Sequence, residues 1–483
     1  MHGARLHESS ALLQKLAVPI SALTADSRLA GPGVAFAAYP GAVHDGRAYI
    51  PQAIASGAPA ILWEEEHFLW DPAWQVPNLA VPGLKRRIGE IAACVYGDPS
   101  SRLRMIGVTG TNGKTSVTHW IAQALSAIGK PSVVIGTLGN GFSGKLSPAT
   151  NTTPDAVQLQ GALARYVSKG ARACAMEVSS HGLHQGRVNG CRFNVAVLTN
   201  LSRDHLDYHG SMEAYAEAKA GLFAWPGLEY AVLNLDDEFG QALAAKPGSA
   251  KIAGYGFREG EVVAETVRAG REGLMLALNT AWGRAELKSS LLGRFNAYNL
   301  LAALATLLVS DVPLAQACAA LGQVRPPAGR MQTLGGGTHP LVVVDYAHTP
   351  DALEKVLATL RPLAGEGRLI CVFGCGGNRD KGKRPLMGRA ASQGADLVFV
   401  TSDNPRSEDP LAIIADILQG MDAESLRTEP DRARAIFEAV GAAKANDIVL
   451  IAGKGHEDYQ EVQGQKQHFS DVEVAQKALG AWA

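Results

Sequence analysis

A glycine-rich loop in the first half of the chain has the composition of a phosphate-binding loop. Residues Gly110 to Thr115 follow an apolar strand, Arg104 to Thr109, and precede a helix predicted from Ser116 to Ile128. Glycines let backbone N–H groups turn toward phosphate oxygens, and a helix N-terminus adds positive potential. Lys114 would reach the outer phosphates and the Thr115 hydroxyl would ligate Mg2+. The strict pattern fails by one residue, because valine replaces its first glycine, so a glycine-rich turn that binds nothing stays an alternative at this point.

Two further polar segments follow predicted strands of the same series. Glu177 comes directly after a buried strand, Ala173 to Met176, and the loop Asn200 to His209 contains two histidines and two aspartates. The carboxyl ends of parallel strands line the crevice where open α/β sheets bind ligands. Together with Thr115 and Glu177, the histidines and aspartates of this loop could complete a site for Mg2+, which prefers oxygen ligands and accepts histidine only as a minority partner. Each histidine taken alone is more typical of a solvated loop.

Four strands in the last third of the chain also end in polar loops. These loops are Asp345 to Asp351, Gly374 to Lys381, Ser402 to Glu408 and Gly453 to Glu457. Four such loops at one sheet edge indicate a second wall that faces a ligand. Lys219, in contrast, lies on a predicted amphipathic helix over Glu213 to Ala220, where spacing alone favours an ordinary surface lysine.

The elements that must position these residues alternate between short apolar strands and amphipathic helices, which predicts parallel sheets with crossover helices. The predicted central strands are Met105 to Val108, Ser132 to Ile135, Ala173 to Val178, Ala196 to Thr199 and Ala231 to Leu235. The predicted C-terminal strands are Leu341 to Asp345, Leu369 to Phe373, Leu397 to Thr401 and Ile448 to Ala452. Between about residues 252 and 292, strands and turns without helices indicate an antiparallel flank. Arg325 to Arg330, with two prolines, indicates a linker or hinge.

The composition is that of a cytosolic globular protein. The 483 residues are 47% hydrophobic and 19% charged, which fits two to four domains of roughly 100 to 200 residues. Lysine plus arginine total 45 and aspartate plus glutamate total 46, so no net field attracts a polyanion, and nucleic acid is not an expected partner. No apolar run approaches the roughly 18 residues of a spanning helix, and the first residues lack signal-peptide features. The spacing of the six cysteines argues against a disulfide framework and a structural zinc site.

On these residues the sequence resembles the Mur ligases, the ATP-dependent amide-forming enzymes of peptidoglycan precursor synthesis, over essentially its whole length. Thr109 to Thr115 reproduce the family's TGTNGKT loop, which accounts for the departure from the general pattern. Resemblance to the branch that adds the third stem-peptide residue lies in Ala149 to Pro154, Glu177 to His181, Arg203 to His209, Asp345 to Asp351 and Gly453 to Glu457. Asp403-Asn404-Pro405-Arg406 resembles the version that selects meso-diaminopimelate, since lysine-adding members differ at the arginine position.

The resemblance implies an α/β protein of three domains, for which the predicted bounds are 1–97, 98–329 and 330–483. The first, a small mixed α/β domain, would bind the UDP end of the substrate. The second, a P-loop ATPase-like parallel sheet with the antiparallel flank, would bind ATP, and the third, Rossmann-like, would bind the amino acid. Asp26 to Arg28 and His44 to Arg47 resemble the family's uridine-side segments, although Val34 stands where members often have aspartate.

The resemblance also assigns roles to individual residues. The implied UDP-substrate contacts are Ser27, His44, Thr152, Thr153, Ser179, Gln185 and Arg187. The implied ATP contacts are Gly110, Thr111, Asn112, Gly113, Lys114, Thr115, Asn296, Asn299, Arg330, Asp345 and His348. The implied diaminopimelate contacts are Arg379, Asp403, Asn404, Pro405, Arg406, Gly453 and Glu457. The implied catalytic residues are Lys114, Glu177, His205 and Lys219, with Mg2+ on Thr115, Glu177, His205 and the carbamate of Lys219.

The implied reaction joins meso-2,6-diaminopimelate to UDP-MurNAc-L-Ala-D-Glu through an acyl phosphate, with ATP and Mg2+, and gives ADP and phosphate. The expected partners are these small molecules, without nucleic acid or membrane insertion, and the expected state is a cytoplasmic monomer, although the sequence does not determine the oligomeric state. A lysine-adding ligase and a folylpolyglutamate synthase relative are alternatives of the same class. A regulatory P-loop ATPase is an alternative of another class, but it assigns no function to the four polar loops of the last domain.

Overall fold

The computed structural model describes residues 2–16, 18–41, 44–246, 248–421 and 426–482. The chain forms two compact units, one of Met1–Thr266, Ala277–Glu286 and Tyr298–Leu321 and the other of Val267–Leu276, Leu287–Ala297 and Gly322–Ala483. Within the described ranges, no helix is both long enough and apolar enough to cross a bilayer.

The N-terminal part contains a four-stranded parallel sheet in the order β1-β2-β3-β4. Its strands are β1 (Ala22–Thr24), β2 (Val34–Ala38), β3 (Ile61–Trp63) and β4 (Asn78–Ala80), and its helices are α1 (His2–Gln14), α2 (Ile50–Ala55) and α3 (Leu84–Val95). Short 3₁₀ turns cover Ser27–Leu29, Gly46–Tyr49 and Pro99–Arg102. Because side chains alternate along a strand, Ala35 and Ala37 join one hydrophobic core and Phe36 and Ala38 join another. The small mixed α/β fold predicted for this part is confirmed.

The central sheet has eleven strands in the order β15-β14-β13-β12-β11-β10-β5-β9-β6-β7-β8. They are β5 (Arg104–Thr109), β6 (Ser132–Gly136), β7 (Gly139–Phe142), β8 (Lys145–Ser147), β9 (Ala173–Glu177), β10 (Val195–Leu198), β11 (Tyr230–Asn234), β12 (Lys251–Gly256), β13 (Val262–Gly270), β14 (Gly273–Thr280) and β15 (Gly283–Ser289). The helices are α4 (Lys114–Ala127), α5 (Ala156–Ser168), α6 (Ser180–His184), α7 (Leu206–His209), α8 (Met212–Phe223), α9 (Glu238–Ala244), α10 (Arg294–Leu308) and α11 (Leu314–Gly322). All five predicted central strands are confirmed.

Three details of the central sheet differ from the prediction. Helix α4 begins at Lys114 rather than Ser116, because Gly113 turns the chain into the helix with a φ of 86°. The expected antiparallel flank does not include β12, which pairs in parallel with β11 and, over two residue pairs, with β13. At the opposite edge, β6, β7 and β8 pair antiparallel. Strand β7, Gly139–Phe142, has two glycines and no apolar alternation, so the pattern that predicts strands misses it.

The C-terminal sheet has six strands in the order β16-β17-β21-β18-β19-β20, parallel except for β16. Its strands are β16 (Gln332–Gly335), β17 (Leu341–Asp345), β18 (Leu369–Phe373), β19 (Leu397–Val400), β20 (Leu426–Thr428) and β21 (Ile448–Ala452), followed by the hairpin β22 (Tyr459–Val462) and β23 (Gln465–His468). The helices are α12 (Pro350–Ala364), α13 (Lys383–Gly394), α14 (Pro410–Leu418), α15 (Arg432–Ala442) and α16 (Asp471–Gly480). Strands β17, β18 and β21 are buried along their whole length, as expected for parallel strands covered on both faces. All four predicted C-terminal strands are confirmed.

Candidate active site

The glycine-rich loop between β5 and α4 is held by the segment that follows β10. The backbone N–H of Thr111 donates to the Asn200 carbonyl at 2.8 Å, and that of Asn112 donates to Asn200 Oδ1 at 3.0 Å. The Thr199 hydroxyl donates to the Asn112 carbonyl at 2.6 Å. These contacts between protein groups hold the loop in shape, so its remaining N–H groups form a site for an anion.

Two glycines of this loop are required by space as well as by conformation. Gly110 and Gly113 have φ values of 141° and 86°, which other residues rarely adopt. A Cβ at Gly110 would collide with the Thr199 hydroxyl, and one at Gly113 would collide with the side-chain oxygen of Asn299. Asn299 on α10 therefore lies directly against the phosphate loop, where the sequence placed a nucleotide contact.

The Lys114 ammonium folds back over the loop. Its Nζ donates to the carbonyls of Gly110 and Thr111, each at 2.9 Å. The positive charge thus already lies over the loop that would receive phosphate, and a short swing of the side chain would exchange carbonyl oxygens for phosphate oxygens.

Glu177 supplies a buried carboxylate next to the start of α4. Its side chain accepts from the Thr115 hydroxyl at 3.1 Å and from the Thr137 backbone N–H at 2.9 Å, and the residue is 1% exposed. The Thr115 hydroxyl and the Glu177 carboxylate are the oxygen donors that Mg2+ prefers. In the described ranges no three His, Cys, Asp or Glu side chains converge on a metal site. A magnesium ion here would therefore need oxygen donors beyond these two residues, and in nucleotide sites nucleotide oxygens and water usually supply several of them.

A glycine at the end of β6 lets this carboxylate approach. A Cβ on Gly136 would collide with the Glu177 side chain. We expect Gly136→Ala to displace the carboxylate from Thr115 and to lower the Mg2+-dependent rate of the nucleotide reaction predicted from the sequence about tenfold or more, the usual effect of disturbing a group that orients a metal ligand. The measurement is initial rate against Mg2+ concentration.

The control for that variant is Gly221→Ala on α8, where an added Cβ has no neighbour within 4 Å. It should keep its rate and gain stability, because alanine is the better helix former. A Gly136→Ala enzyme with the wild-type Mg2+ dependence would show that the close approach has no catalytic meaning.

Lys219 is buried, so its interpretation as a surface lysine is wrong. The residue is 1% exposed, and its Nζ donates to the Gly110 carbonyl at 2.8 Å and lies 4.4 Å from the centre of the Tyr215 ring. Burial, followed by the nearby charge of Lys114, lowers the pKa of Lys219 to about 6. The ring face favours the charged amine, but burial outweighs it. At neutral pH the side chain is mainly a neutral, nucleophilic amine.

The histidines of the 200–209 loop form an aromatic cluster. The ring of His181 lies 4.9 Å from that of His205, 4.0 Å from that of Tyr208 and 5.4 Å from that of His209. Burial lowers the pKa of His181 and of His209, so both stay neutral near pH 7. The His205 side chain is 46% exposed and makes no hydrogen bond to Glu177 within the described ranges. The structure therefore brings Thr115 and Glu177 together but leaves His205 outside their contacts.

Polar side chains continue from the Glu177 strand toward the surface. The Thr153 hydroxyl donates to the Glu177 carbonyl at 2.9 Å and lies 3.1 Å from the Ser179 hydroxyl. Arg187 donates to the Thr153 carbonyl and to the side chain of Gln185, with distances between 2.7 and 2.9 Å. The network joins four of the residues that the resemblance assigns to the UDP-substrate.

The other predicted UDP-substrate residues lie in separate surroundings. The Thr152 hydroxyl is 3.0 Å from that of Thr137, which also contacts Glu177. Ser27 is buried and donates to Gln52 at 3.0 Å, whereas His44 is exposed. Its hydrogen bond makes Ser27 part of the support of α2.

In the C-terminal unit, a fully buried lysine joins two of the polar loops. Lys454 is 0% exposed, and its Nζ donates to Asn404 Oδ1 at 3.1 Å and to Glu457 Oε2 at 3.2 Å. The Asn404 amide also donates to Glu457 at 2.8 Å. Gly453 has a φ of 117°, and a Cβ there would lie 2.6 Å from the carboxylate of Asp403. Burial raises the pKa of Asp403, and the predicted loop residues 403, 404, 453 and 457 come together as one wall.

A second buried cation ties the same two strands together behind that wall. The Arg432 guanidinium donates to the carbonyls of Ser402 and Ala452 at 3.2 and 2.9 Å. It also forms a two-bond pair with Asp471 at 2.7 and 2.8 Å, with both side chains 0% exposed. The ends of β19 and β21 are therefore cross-linked through one side chain.

Arg406 stands at the edge of the wall in a left-handed conformation, with a φ of 53°. One terminal nitrogen donates to the Gly377 carbonyl at 2.7 Å, and Nε lies 3.5 Å from the carboxylate of Glu461. The alternative in which Arg406 pairs with Glu408 or Asp403 is wrong. Glu408 instead accepts from Arg384 at 2.9 Å, and that contact lowers the pKa of Glu408 to about 2.

Of the predicted nucleotide residues in the C-terminal unit, three surround Tyr346. Arg330 lies 5.0 Å from the centre of its ring, and His348 Nδ1 is 2.9 Å from its carbonyl oxygen. Asp345, the preceding residue, is buried, accepts from the Met331 N–H at 2.8 Å and has a raised pKa because of burial. Asn296, another predicted nucleotide residue of this unit, lies on α10, and its side-chain amide donates to the Leu292 carbonyl at 2.7 Å. Arg379, predicted as a diaminopimelate contact, is exposed.

Three family models match the chain: the Mur ligase family, catalytic domain, over residues 19–96, the Mur ligase middle domain over residues 108–307, and the Mur ligase, glutamate ligase domain over residues 329–455. A curated relative from Chromobacterium violaceum, named UDP-N-acetylmuramoyl-L-alanyl-D-glutamate–2,6-diaminopimelate ligase, is 55% identical over 98% of this chain and 97% of its own length. The chain belongs to the Mur ligase family.

Solved structures agree with the fold of this Mur ligase. A structure of UDP-N-acetylmuramoyl-L-alanyl-D-glutamate–2,6-diaminopimelate ligase, 40% identical, superposes with a TM-score of 0.74 over 96% of each chain. The MurF ligase from Thermotoga maritima in complex with ADP, 17% identical, has a TM-score of 0.64 over 95% of this chain and 97% of its own. At that identity the likeness concerns the fold alone.

The sequence analysis did not identify three residues of this Mur ligase site. Thr137 binds Glu177 mainly through its backbone N–H, for which residue type carries no signal. Lys454 had a signal, a lysine between two glycines directly after a buried strand, although its burial was not foreseen. Glu461 lies on the hairpin β22–β23, which carries no pattern that relates it to Arg406.

Proposed function

We propose that this Mur ligase joins meso-2,6-diaminopimelate to the γ-carboxyl of D-glutamate in UDP-MurNAc-L-Ala-D-Glu, with ATP and Mg2+. The observation that carries the amino-acid assignment is Arg406, whose guanidinium is held at Nε and at one terminal nitrogen and leaves its outer edge for a carboxylate. Meso-diaminopimelate differs from lysine by a carboxylate at the far end of its side chain. The reaction belongs in the cytoplasm, where ATP and UDP-linked precursors occur together, and we expect a monomer.

The first step transfers the γ-phosphoryl group of ATP to the D-glutamate γ-carboxylate, with loss of ADP. A carboxylate and a triphosphate repel each other, so the site must supply positive charge where they meet. Lys114 and the loop N–H groups supply it from the protein, and Mg2+, held by Thr115 and Glu177, would add its charge when bound. The fixed loop holds the two reactants in line.

In the second step, the neutral amine of diaminopimelate attacks the acyl carbon and the phosphate leaves with its bonding electron pair. The amine nitrogen releases a proton as the amide forms. Glu457 and Asn404, fixed by Lys454, would orient the neighbouring ammonium and carboxylate of the amino acid. Ordering the amine in this way favours it over water as the nucleophile.

We further propose that Lys219 acts as a carbamate. Its neutral amine would add to CO2, forming a C–N bond and releasing one proton, and the buried lysine would become an anion beside the phosphate loop. The low pKa, about 6, supports this chemistry because the nucleophile is the unprotonated amine. The carbamate would supply a further oxygen ligand for Mg2+.

One assay tests the proposed function. The protein is given ATP, Mg2+ and UDP-MurNAc-L-Ala-D-Glu, and ADP release is followed with meso-diaminopimelate, lysine or glutamate. Release that requires meso-diaminopimelate is the expected result. Release with lysine would indicate the lysine-adding branch, and slow release independent of any amino acid would indicate a regulatory ATPase. In a parallel reaction a folate replaces the UDP-substrate, and release there with glutamate would indicate a folylpolyglutamate synthase.

Arg406→Ala and Arg406→Asn should raise the KM for meso-diaminopimelate while leaving the KM for ATP and for the UDP-substrate nearly unchanged. Loss of one partner of a charge pair typically costs about 2–5 kcal/mol. The Arg406 side chain is 23% exposed and already has Glu461 beside it, so we expect the lower end, roughly 30-fold in KM. An enzyme that kept the wild-type preference over lysine would contradict the specificity role of Arg406 and leave the ligase activity unaffected.

A further inference from the structure

The backbone of Arg406 is bound to the hairpin that follows the last polar loop. Its N–H donates to the Glu461 carbonyl at 2.9 Å, and its carbonyl accepts from the Gln463 N–H at 2.6 Å. The Glu461 N–H in turn donates to Asn404 Oδ1 at 2.9 Å. Strand β22 therefore contributes to the position of both Asn404 and Arg406, and Glu461 contacts both residues.

The Glu461 carboxylate also lies beside the guanidinium. Its Oε2 is 3.5 Å from Arg406 Nε, and the two side chains are 24% and 23% exposed. One terminal nitrogen, Nη1, donates to the Gly377 carbonyl at 2.7 Å. In the ranges that the structure describes, Nη2 has no hydrogen-bond partner, so three of the four N–H groups on the two terminal nitrogens stay available to a ligand.

Such an arrangement determines how a carboxylate can bind. A guanidinium offers two edges for a bidentate pair, Nε–Nη and Nη1–Nη2. Glu461 lies on the Nε side, so the end-on edge is the one left to a substrate. A glycine at 376 keeps the region beside Nη1 clear, because a Cβ there would come within 3.0 Å of it.

We infer that Glu461 is a specificity-determining positioning residue, which aims the end-on edge of Arg406 at the far carboxylate of the amino-acid substrate. The inference rests on the proposed function. Glu461 lowers the number of guanidinium orientations before the substrate arrives, which reduces the entropy lost on binding. It acts through Arg406 and does not touch the reacting atoms.

The same contact changes how lysine is rejected. Arg406 keeps an anionic neighbour when lysine, which lacks the far carboxylate, occupies the site. Discrimination against lysine therefore comes from the contact that meso-diaminopimelate gains, more than from an isolated charge that lysine leaves behind. This is the reason that the effect expected for Arg406 is moderate.

The test is a double-mutant cycle on the full-length enzyme. Glu461→Leu should raise the KM for meso-diaminopimelate about 2- to 10-fold, the effect of losing the order of one long side chain, with kcat unchanged. Glu461→Gln should raise this KM less than Glu461→Leu does, because glutamine keeps the size and polarity of the side chain but loses the charge beside Nε. In an Arg406→Ala background, Glu461→Leu should have no further effect on KM.

Glu473→Leu is the matched control, since Glu473 accepts from His468 of the same hairpin region at 2.9 Å and is exposed. It should leave every KM unchanged. A loss of thermal stability with equal changes in all KM values for Glu461→Leu would indicate a merely structural role, and a lower KM would indicate that Glu461 competes with the substrate. An effect that persists in the Arg406→Ala background would also overturn the inference. Failure of the proposed function is read separately, from a wild-type enzyme that does not require meso-diaminopimelate.

Discussion

Lys114→Ala is expected to abolish ADP formation while leaving the fold intact. The ammonium is the protein's own positive charge over the phosphate loop, and removal of one group that stabilises transition-state charge typically lowers the rate about 10²- to 10³-fold. The stability loss should be small, because the hydrogen bonds from Lys114 to the Gly110 and Thr111 carbonyls, at 2.9 Å, lie in a partly buried position. Measurements of ATP binding and of single-turnover ADP release would locate the loss.

Lys130→Ala provides the control for that variant. Lys130 lies three residues beyond the far end of α4 and is exposed, so its removal takes away the same charge without touching the loop. Near-normal turnover of Lys114→Ala with unchanged ATP affinity would contradict the assignment of the phosphate loop.

Lys219→Ala is expected to lower the reaction rate about 10²-fold or more, because the carbamate of the lysine is proposed to provide a metal ligand. Small carboxylic acids such as acetate should restore part of the activity, because they can occupy the vacated space and supply the missing oxygens. Wild-type activity should also depend on CO2 in a pH-dependent way. A lysine with a pKa of about 6 is neutral and able to add CO2 above that pH, and becomes protonated and unable to do so below it.

Two variants separate chemistry from packing at this position. Lys219→Met fills the buried space without a charge, so it should be inactive and, unlike the alanine variant, not restored by acetate. Lys251→Ala removes an exposed lysine that also lies over a tyrosine ring, that of Tyr230, at 5.8 Å, and should keep full activity. Full activity of Lys219→Ala in CO2-depleted buffer would exclude the carbamate.

The sequence predicted those parts of the fold that local sequence patterns determine. Apolar runs predicted five strands of the central sheet and four of the C-terminal sheet. The glycine spacing predicted the phosphate loop, and the apolar run before Glu177 predicted its place at the end of β9. Burial of Lys219 could not be read in the same way, because it depends on the loop and the histidine cluster that cover α8. The pairing of Arg406 with Glu461 joins two segments 55 positions apart through a hairpin without a distinctive pattern. Distances between such segments are set by tertiary packing, which a periodicity does not encode.

The buried Arg432 has a consequence for how the amino-acid wall meets a ligand. Its guanidinium holds the carbonyls of Ser402 and Ala452. It therefore links the loop Ser402 to Glu408 to the loop Gly453 to Glu457, and we expect the two loops to move together. The shape of such a binding surface should change little when a ligand binds. Compounds designed against it should therefore match a fixed shape and charge pattern, and added flexibility in such a compound would lower affinity without opening new contacts.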